Sequence, residues 1–314
     1  MGEILIGTCS WADPTLLMAG TFYPSWAKGA RARLEFYSSE FRLVEVDSSY
    51  YALPSQDAVG DWARWTPGDF VFDVKAFRLF TCHPTPAPAL PRDIREGLGV
   101  APGDKKSLYV GGLPQGVVQE LWHRFEDALL PLDSAGKLGV VAFQFPSWFL
   151  PDKANRGYVS QLRERLPQYR LAVEFRSGAW LDEERREETF ALLSGSGLSF
   201  VCVDGPQGFR SSVPPLAEAT SEVGVVRFHG RNRETWERRG IGAAGRFNYR
   251  YSEVELAEWV PRIIGLSART RQLHVLFNNC HEDKAVVNAR QMGRILSLPL
   301  RVGSQPRLEW VEET

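Results

Sequence analysis

Eight short apolar runs recur along the chain, and each is followed by a stretch with helical periodicity. The runs are Ile4–Trp11, Leu43–Tyr51, Phe70–Phe77, Gly139–Pro146, Leu171–Trp180, Ser199–Gly205, Val223–Gly230 and Leu273–Cys280. Strands that alternate with helices are typical of a parallel sheet covered by helices. Eight such units in 314 residues predict an α/β fold: a TIM-like (β/α)8 barrel with eight parallel strands. Such barrels form one domain, so we predict a single domain over residues 1–314.

A proline-rich insertion follows the third strand. Six prolines fall between residues 80 and 115, at positions 84, 86, 88, 91, 102 and 114. This density disfavours regular structure. Because the segment follows the C-terminal end of a barrel strand, it should lie over the barrel mouth, where long loops are often functional. We therefore predict a candidate lid at about 80–115, with a decorative insertion as the alternative.

The helical stretches are less sharply bounded than the strands. Periodicity predicts helices near residues 25–41, 116–132, 154–166, 182–194, 252–265 and 283–296, and Ser25 is the expected N-cap of the first. The sixth unit is weak, because Ser211–Thr220 contains two consecutive prolines and several small or polar residues. It predicts a loop or a single turn.

Composition and charge exclude several classes of protein. Apolar residues make up 44% of the chain and charged residues 24%, as in soluble globular proteins. No apolar run approaches the ~18 residues of a membrane span, and the N-terminus has no basic leader. The four cysteines form no CxxC pair, so reduced thiols in a cytoplasmic protein are expected. A net charge of −1 gives no global attraction to nucleic acid.

Charged residues within the predicted strands indicate which face points into the barrel. Side chains alternate along a strand, and the parity that faces the helices must be apolar. This predicts an inward-facing set made of Glu45, Asp47, Asp73, Lys75, Gln144, Glu174, Arg176, Asp204, Arg227, His229 and Asn278. Buried charges need partners, so the set is either a structural ion-pair network or a polar ligand site. A ring of such residues at one barrel mouth favours the ligand site.

The seventh unit is rich in arginine. Residues 227–250 contain seven arginines against two acids, with Trp236, Phe247 and Tyr249 interleaved. Arginine binds phosphate or carboxylate bidentately, and the loops after strands seven and eight often hold phosphate in such barrels. Two other interpretations stay open: a single-stranded nucleic-acid site that uses the 231–251 loop, and a solvated loop.

Metal and nucleotide cofactors have weak support. Glu45, Glu174, Asp204 and His229 are donor types that divalent metals use. Lys75, Arg176 and Arg227 would compete for the same carboxylates, and no HxH or HxxxH spacing is present. A divalent metal therefore stays open. No GxGxxG after a strand and no GxxxxGK[ST] motif is present, so no nucleotide cofactor is predicted.

Several motifs occur together in a characteristic order. They are Gly7–Trp11, Phe22–Pro24, Val44–Pro54, Trp65–Pro67, Phe72–Lys75, Phe143–Pro146, Val173–Arg176, Arg227–Arg231 and Phe277–Asn279. In this order the chain resembles the DUF72 family, also called YecE-like proteins. The resemblance implies a TIM-like barrel and names no reaction. The family usually has His where this chain has Ser177, and Asn where it has Asp47.

These observations lead to three hypotheses about function. The first is an enzyme of hydrolase, isomerase or lyase type, whose small anionic, phosphorylated substrate binds at the barrel mouth. The candidate catalytic residues are Glu45, Asp47, Lys75, Glu174, Asp204 and His229. The candidate substrate-binding residues are Trp11, Tyr50, Gln144, Arg176, Arg227, Arg231 and Asn278. The alternatives are a nucleic-acid-binding or processing protein and a non-catalytic barrel that binds a protein partner. Oligomeric state is not predicted.

Overall fold

Eight parallel strands close into a barrel in which each strand neighbours the next along the chain and β8 pairs with β1. The strands are β1 Glu3–Cys9, β2 Leu43–Val46, β3 Val71–Lys75, β4 Leu138–Gln144, β5 Arg170–Glu174, β6 Leu198–Asp204, β7 Val223–Phe228 and β8 Gln272–Phe277. This computed structural model describes residues 1–101, 107–238 and 240–298. The predicted (β/α)8 barrel is thus confirmed. Residues 102–106 of the predicted lid, Arg239 and residues 299–314 of the predicted domain lie outside the described residues.

Helices surround the barrel. In the described ranges they are α1 Pro14–Ala19, α2 Ala30–Glu40, α3 Ser48–Tyr51, α4 Gln56–Arg64, α5 Arg92–Gly97, α6 Gln115–Ser134, α7 Lys153–Arg165, α8 Arg186–Gly195, α9 Gly242–Arg246, α10 Glu253–Ala257, α11 Val260–Arg269 and α12 Lys284–Ile295. The sixth crossover, residues 205–222, is described throughout and contains no helix. Its two prolines and polar residues predict this outcome.

Strand register shows which side chains share the barrel interior. Glu45 pairs with Asp73 between β2 and β3, and Gln144 pairs with Glu174 between β4 and β5. The alternate positions, such as Val44 and Phe72, are fully buried between the strands and the helices. The apolar core therefore lies mainly outside the barrel, and polar groups occupy its axis.

The N-terminal end of the barrel interior is closed by a buried, hydrogen-bonded pair, Asp73 and His274. His274 Nδ1 of β8 lies 2.9 Å from each oxygen of Asp73 on β3, and the Val140 N–H donates to Asp73 Oδ1 at 2.8 Å. Gly139 of β4 makes room for this pair, because a Cβ there would lie 2.2 Å from Asp73 Oδ1. This pair lies at the end of the barrel opposite the strand C-termini.

Several element boundaries differ from the predictions. The run Leu43–Tyr51 was expected to be one strand, but β2 ends at Val46 and Ser48 begins a helical turn. The predicted N-cap at Ser25 is wrong, because α2 begins at Ala30 with Gly29 as its cap. The predicted helix over 252–265 is broken in two, and Pro261 occupies the first turn of the second piece, where its missing N–H costs no bond.

The described part of the 80–115 segment contains short regular elements, contrary to the expectation from its prolines. These are α5, 3₁₀ turns, and two-residue strands at Thr85–Pro86 and Ser107–Leu108. Much of the segment contacts α6: the Phe80 ring stacks on Trp122 at 3.8 Å, and Asp93 pairs with Arg124. Among its described residues, His83 lines the cavity at the barrel mouth. The lid function stays a prediction.

Candidate functional site

A cavity of about 750 Å³ opens at the C-terminal end of the barrel. Its charged and amide lining residues are Asp13, Asp47, Lys75, Gln144, Arg176, Arg246 and Asn278. Its aromatic lining residues are Tyr50, Tyr51, Trp148, Trp236 and Phe247. Three cations thus face two carboxylates, and burial lowers the pKa of the nearby His83 to about 3, which leaves that ring uncharged. The balance of charge favours an anionic ligand.

Arg227 lies beneath this cavity and joins two buried carboxylates. Its Nη2 donates to Glu45 Oε1 at 2.5 Å, and its Nη1 donates to Glu174. All three side chains are at most 2% exposed. Burial opposes the charge of Arg227, but Glu45 and Glu174 outweigh it and hold its pKa well above the usual value. Because both of its terminal nitrogens are engaged within the protein and its side chain does not line the cavity, Arg227 supports the cavity from below.

Glu174 is the centre of a hydrogen-bond network at the cavity floor. Its Oε1 accepts from Gln144 Nε2 at 2.5 Å, from Arg176 Nη1 at 3.2 Å and from His229 Nε2 at 3.0 Å. Burial raises the pKa of Glu174, but Arg227 and His229 outweigh burial and hold the pKa well below the usual range. Glu174 is therefore a carboxylate that orients other side chains.

His229 is buried beside Glu174. Its Nδ1 lies 2.8 Å from Asn278 Nδ2, which is a donor, so the proton of the neutral ring belongs on Nε2. Burial, with smaller contributions from Arg176 and Arg227, lowers the pKa of His229 to about 4. At neutral pH the imidazole is uncharged, and both of its nitrogens are occupied.

Lys75 presents its ammonium group to the cavity. Its Nζ lies 3.4 Å from Asp47 Oδ1 and 4.9 Å from the centre of the Tyr50 ring. Burial lowers the pKa of Lys75, but Asp47 and Glu45 outweigh burial and hold the pKa above its usual value. Lys75 is therefore a cation that faces the cavity.

Two residues predicted to act at the mouth lie elsewhere. Asp204 was expected to point into the barrel, but its carboxylate accepts from Tyr251, Trp259 and Arg231 on the helix side. Register explains the difference, since Asp204 pairs with the outward-facing Phe228 rather than with Arg227. Arg231 in turn is engaged by Asp204 and two further acids of α10 and its C-terminus. The pair holds the loop after β7 against the helices.

Trp11 also departs from its predicted place. Its ring packs edge-on against Trp62 of α4 and Phe72 of β3, at 5.6 and 6.3 Å. Those contacts lie on the helix-facing side of the strands, and Trp11 is not among the residues that line the cavity. The structure therefore gives Trp11 a packing role, and the preceding Cys9 and Ser10 reach the cavity instead.

The structure brings the remaining candidates together. Glu45, Asp47, Tyr50, Lys75, Gln144, Glu174, Arg176, Arg227, His229 and Asn278 form one continuous cluster at or directly below the cavity floor. Arg246 was not singled out, and Trp236 was noted only as a loop aromatic, although both line the cavity. Their placement depends on how the 231–251 loop folds back, which no strand pattern reveals.

A second depression, of about 590 Å³, lies at the opposite end of the barrel. Arg170 there pairs with Glu222, and Arg163 donates to backbone carbonyls. Its two arginines are thus engaged within the protein, and we place the candidate site at the C-terminal mouth.

Two absences apply to the part of the chain that the structure describes. It contains no group of three or more His, Cys, Asp or Glu side chains arranged to hold a metal ion. Nor does any of its helices have the length and apolar character that crossing a membrane requires.

The closed ring of eight parallel strands, with its polar cavity at their C-terminal ends, defines a TIM-like (β/α)8 barrel protein. The chain belongs to the DUF72 family, described as a protein of unknown function, whose family model matches residues 5–310. It is 31% identical to the UPF0759 protein YunF of Bacillus subtilis over 299 residues, which cover 94% of this chain and 95% of that protein.

Solved structures of the family share the fold. A DUF72 family protein from Thermotoga maritima is 30% identical, with a TM-score of 0.71 over 94% of this chain and 99% of its own. A DUF72 family protein from Enterococcus faecalis superimposes with a TM-score of 0.78 over 98% of this chain and 100% of its own, at 23% identity. These similarities show that the proteins share a fold, and they identify no activity.

Proposed function

We propose that this protein is an enzyme that acts on a small anionic, phosphorylated substrate bound in the cavity at the C-terminal barrel mouth. The observation that carries the proposal is a pair of buried donors without a partner. Trp236 Nε1 and Arg246 Nε have no acceptor among the described residues, and both side chains line the cavity. A buried donor left unpaired costs about 1–3 kcal/mol, and the oxygens of an anion would satisfy both.

The neighbouring cations support the same ligand. The Arg176 guanidinium lies 4.7 Å from the centre of the Trp236 ring and is held by Glu174, which fixes it toward the cavity. The Lys75 side chain faces the cavity from β3. Arg246 follows β7, the position from which phosphate is often held in such barrels. In this proposal Arg176 and Arg246 bind the anion, and Lys75 stabilises negative charge that develops during the reaction.

Glu174 and His229 have positioning roles in this proposal. Glu174 accepts hydrogen bonds from three side chains besides Arg227, so it has little capacity left to act as a base. His229 is neutral and bonded on both nitrogens. They orient Arg176 and Gln144, which contact the ligand.

Ligand-induced stabilisation tests the proposal. Ligands that bind the folded state raise the melting temperature by mass action, so purified protein is screened against sulfate, phosphate and phosphorylated metabolites. We expect a rise with anions that is lost in Arg176→Met and Lys75→Met. Arg238→Met, an exposed arginine of the same loop, is the matched control and keeps the rise. No rise with any anion, or the same rise in all variants, would overturn the proposal.

The nucleic-acid alternative has less support. Base stacking needs exposed aromatic rings, whereas Trp236 and Tyr251 of the 231–251 loop are 3% and 1% exposed. Arg231 is already engaged by three carboxylates. We therefore favour the small anion as the ligand.

A further inference from the structure

Two carboxyl groups near the cavity floor have oxygens that lack a donor. Glu45 of β2 is fully buried, and its Oε2 has no hydrogen-bond partner among the described residues. Asp47, just beyond the strand, lines the cavity, and its buried Oδ1 also lacks a hydrogen bond. Lys75 Nζ lies 3.4 Å from that oxygen. The two carboxyl groups are close enough for a hydrogen bond between their side chains.

Two ionised carboxylates are both acceptors, so a hydrogen bond between them requires a proton on one. One proton on the pair would supply the donor that this contact between the two carboxyl groups requires. Shared protons of this kind form where like charges are held close together in a buried place. The contact between the two carboxyl groups, together with one buried oxygen of each that has no hydrogen bond, thus indicates a proton on the pair.

The charge of the cluster leads to the same conclusion. With all groups ionised, the carboxylates of Glu45, Asp47 and Glu174 cancel the cations Lys75, Arg176 and Arg227. As a set, these six ionised groups have no net charge to attract an anion, whereas one proton held by the carboxyl pair gives them a single positive charge that a bound anion would balance.

The surroundings of the pair contain few other groups that could titrate in its place. Arg227 of β7 and Lys75 of β3 face it as cations, and Glu174 of β5 lies beyond Arg227. Cys9 of β1 and Cys280 after β8 also face it, and burial holds the pKa of each thiol well above its usual value. Burial, with the charge of Asp47, raises the pKa of Glu45 to about 8, against the effect of Arg227.

We propose that Glu45 and Asp47 share one proton in the free protein and that an anion binds in the cavity to the form of the protein that holds this proton. The second half rests on the anion-binding function proposed above, whereas the first half concerns the free protein alone. Anion affinity would then depend on pH through a pair of carboxyl groups rather than through a histidine.

The free protein tests the shared proton directly. Infrared spectra in deuterium oxide at neutral pH separate protonated from ionised carboxyl groups. We expect a protonated carboxyl band in the wild type that is lost in Asp47→Asn, since the amide of the variant can donate to Glu45 without a proton, and equally lost in Glu45→Gln. A band that persists in both variants, or that is absent from the wild type throughout the neutral range, would overturn the shared proton.

Sulfate binding tests the coupling, because sulfate keeps its charge throughout the neutral range. Above the apparent pKa of the pair, wild-type affinity should fall by about tenfold per pH unit, as one-proton linkage requires. Asp47→Asn should bind sulfate with no such dependence and at least as tightly as the wild type does at low pH. Glu258→Gln, which removes a carboxylate outside the cluster, should keep the wild-type slope.

The two failures are distinguishable. If sulfate does not bind but the infrared band behaves as expected, the anion-binding function is wrong and the carboxyl pair stands. If sulfate binds with the same slope in Asp47→Asn as in the wild type, the coupling is wrong and the anion site stands.

Discussion

Replacing Arg227 by methionine should destabilise the protein severely, because this one side chain compensates two buried carboxylates. Glu45 and Glu174 would both lose their bond to it. Glu45 can take up a proton, so one obligatory charge, that of Glu174, is left uncompensated. Breaking a buried pair on one side costs about 3–5 kcal/mol. With an unfolding entropy of roughly 2.1 cal/mol/K per residue, this corresponds to a fall in Tm of about 5–8 °C.

The pH dependence of this loss has a defined sign. The folded-state pKa of Glu174 is depressed, so the group contributes stability above its unfolded pKa, and that contribution disappears as pH falls through the folded value. Removing Arg227 weakens the contribution. The difference between wild type and Arg227→Met should therefore be largest at neutral pH and shrink in acid.

Urea and thermal unfolding, followed by tryptophan fluorescence and calorimetry, measure the effect. Arg31→Met is the control, since it removes an exposed pair with Glu35 worth about 0–1 kcal/mol. The double variant Arg227→Met/Glu174→Gln should recover much of the loss, because it removes the stranded charge. If Arg227→Met costs no more than the control, our assignment of Arg227 as the shared counter-ion is wrong.

Three further outcomes follow from the contacts described above. Asp204→Asn should lower unfolding stability by about 1–3 kcal/mol, because its three donors lose a charged acceptor, while sulfate affinity by calorimetry stays unchanged; weaker sulfate binding would contradict its place outside the cavity. His274→Leu should cost about 3–5 kcal/mol by leaving Asp73 buried without its partner, and a loss below about 1 kcal/mol in urea unfolding would refute that. Cys9 and Cys280, whose pKa values are raised by burial, should resist iodoacetamide in the native protein and react fully after unfolding, as mass spectrometry of the peptides would show; rapid native labelling would disprove it.

The strands were predictable because their chemistry is local. Each apolar run overlaps a barrel strand, and the inward parity of Glu45, Lys75 and Glu174 follows from charge on a two-residue period. The end of β2 was not predictable in the same way. There the Ser49 hydroxyl donates to the backbone carbonyls of Val46 and Lys75 and stabilises the helical turn. Lys75 belongs to β3, so this contact cannot be predicted from the local sequence.

The parity rule failed at Asp204 for a physical reason. Phe200 and Cys202 share its parity and face outward, toward α8 and the sixth crossover, so strict alternation would place Asp204 outward. Asp204 was nevertheless predicted to point inward, because a buried charge was assumed to face the barrel axis. Tyr251 and Trp259, which lie about fifty residues further along the chain, donate hydrogen bonds to Asp204 and stabilise its carboxylate between the strands and the helices. Such long-range partners have no trace in the local sequence.

The close approach of Gly139 to the hydrogen-bonded pair Asp73 and His274, at the N-terminal end of the barrel, also constrains how this sequence can diverge. A Cβ at position 139 would collide with Asp73 Oδ1 and would lie 3.0 Å from the His274 ring. Since Asp73 and His274 depend on each other for burial, no one of the three positions can change freely while the other two are kept. Positions 73, 139 and 274, on β3, β4 and β8, should therefore co-vary. Relatives with a side chain at position 139 should have replaced both Asp73 and His274.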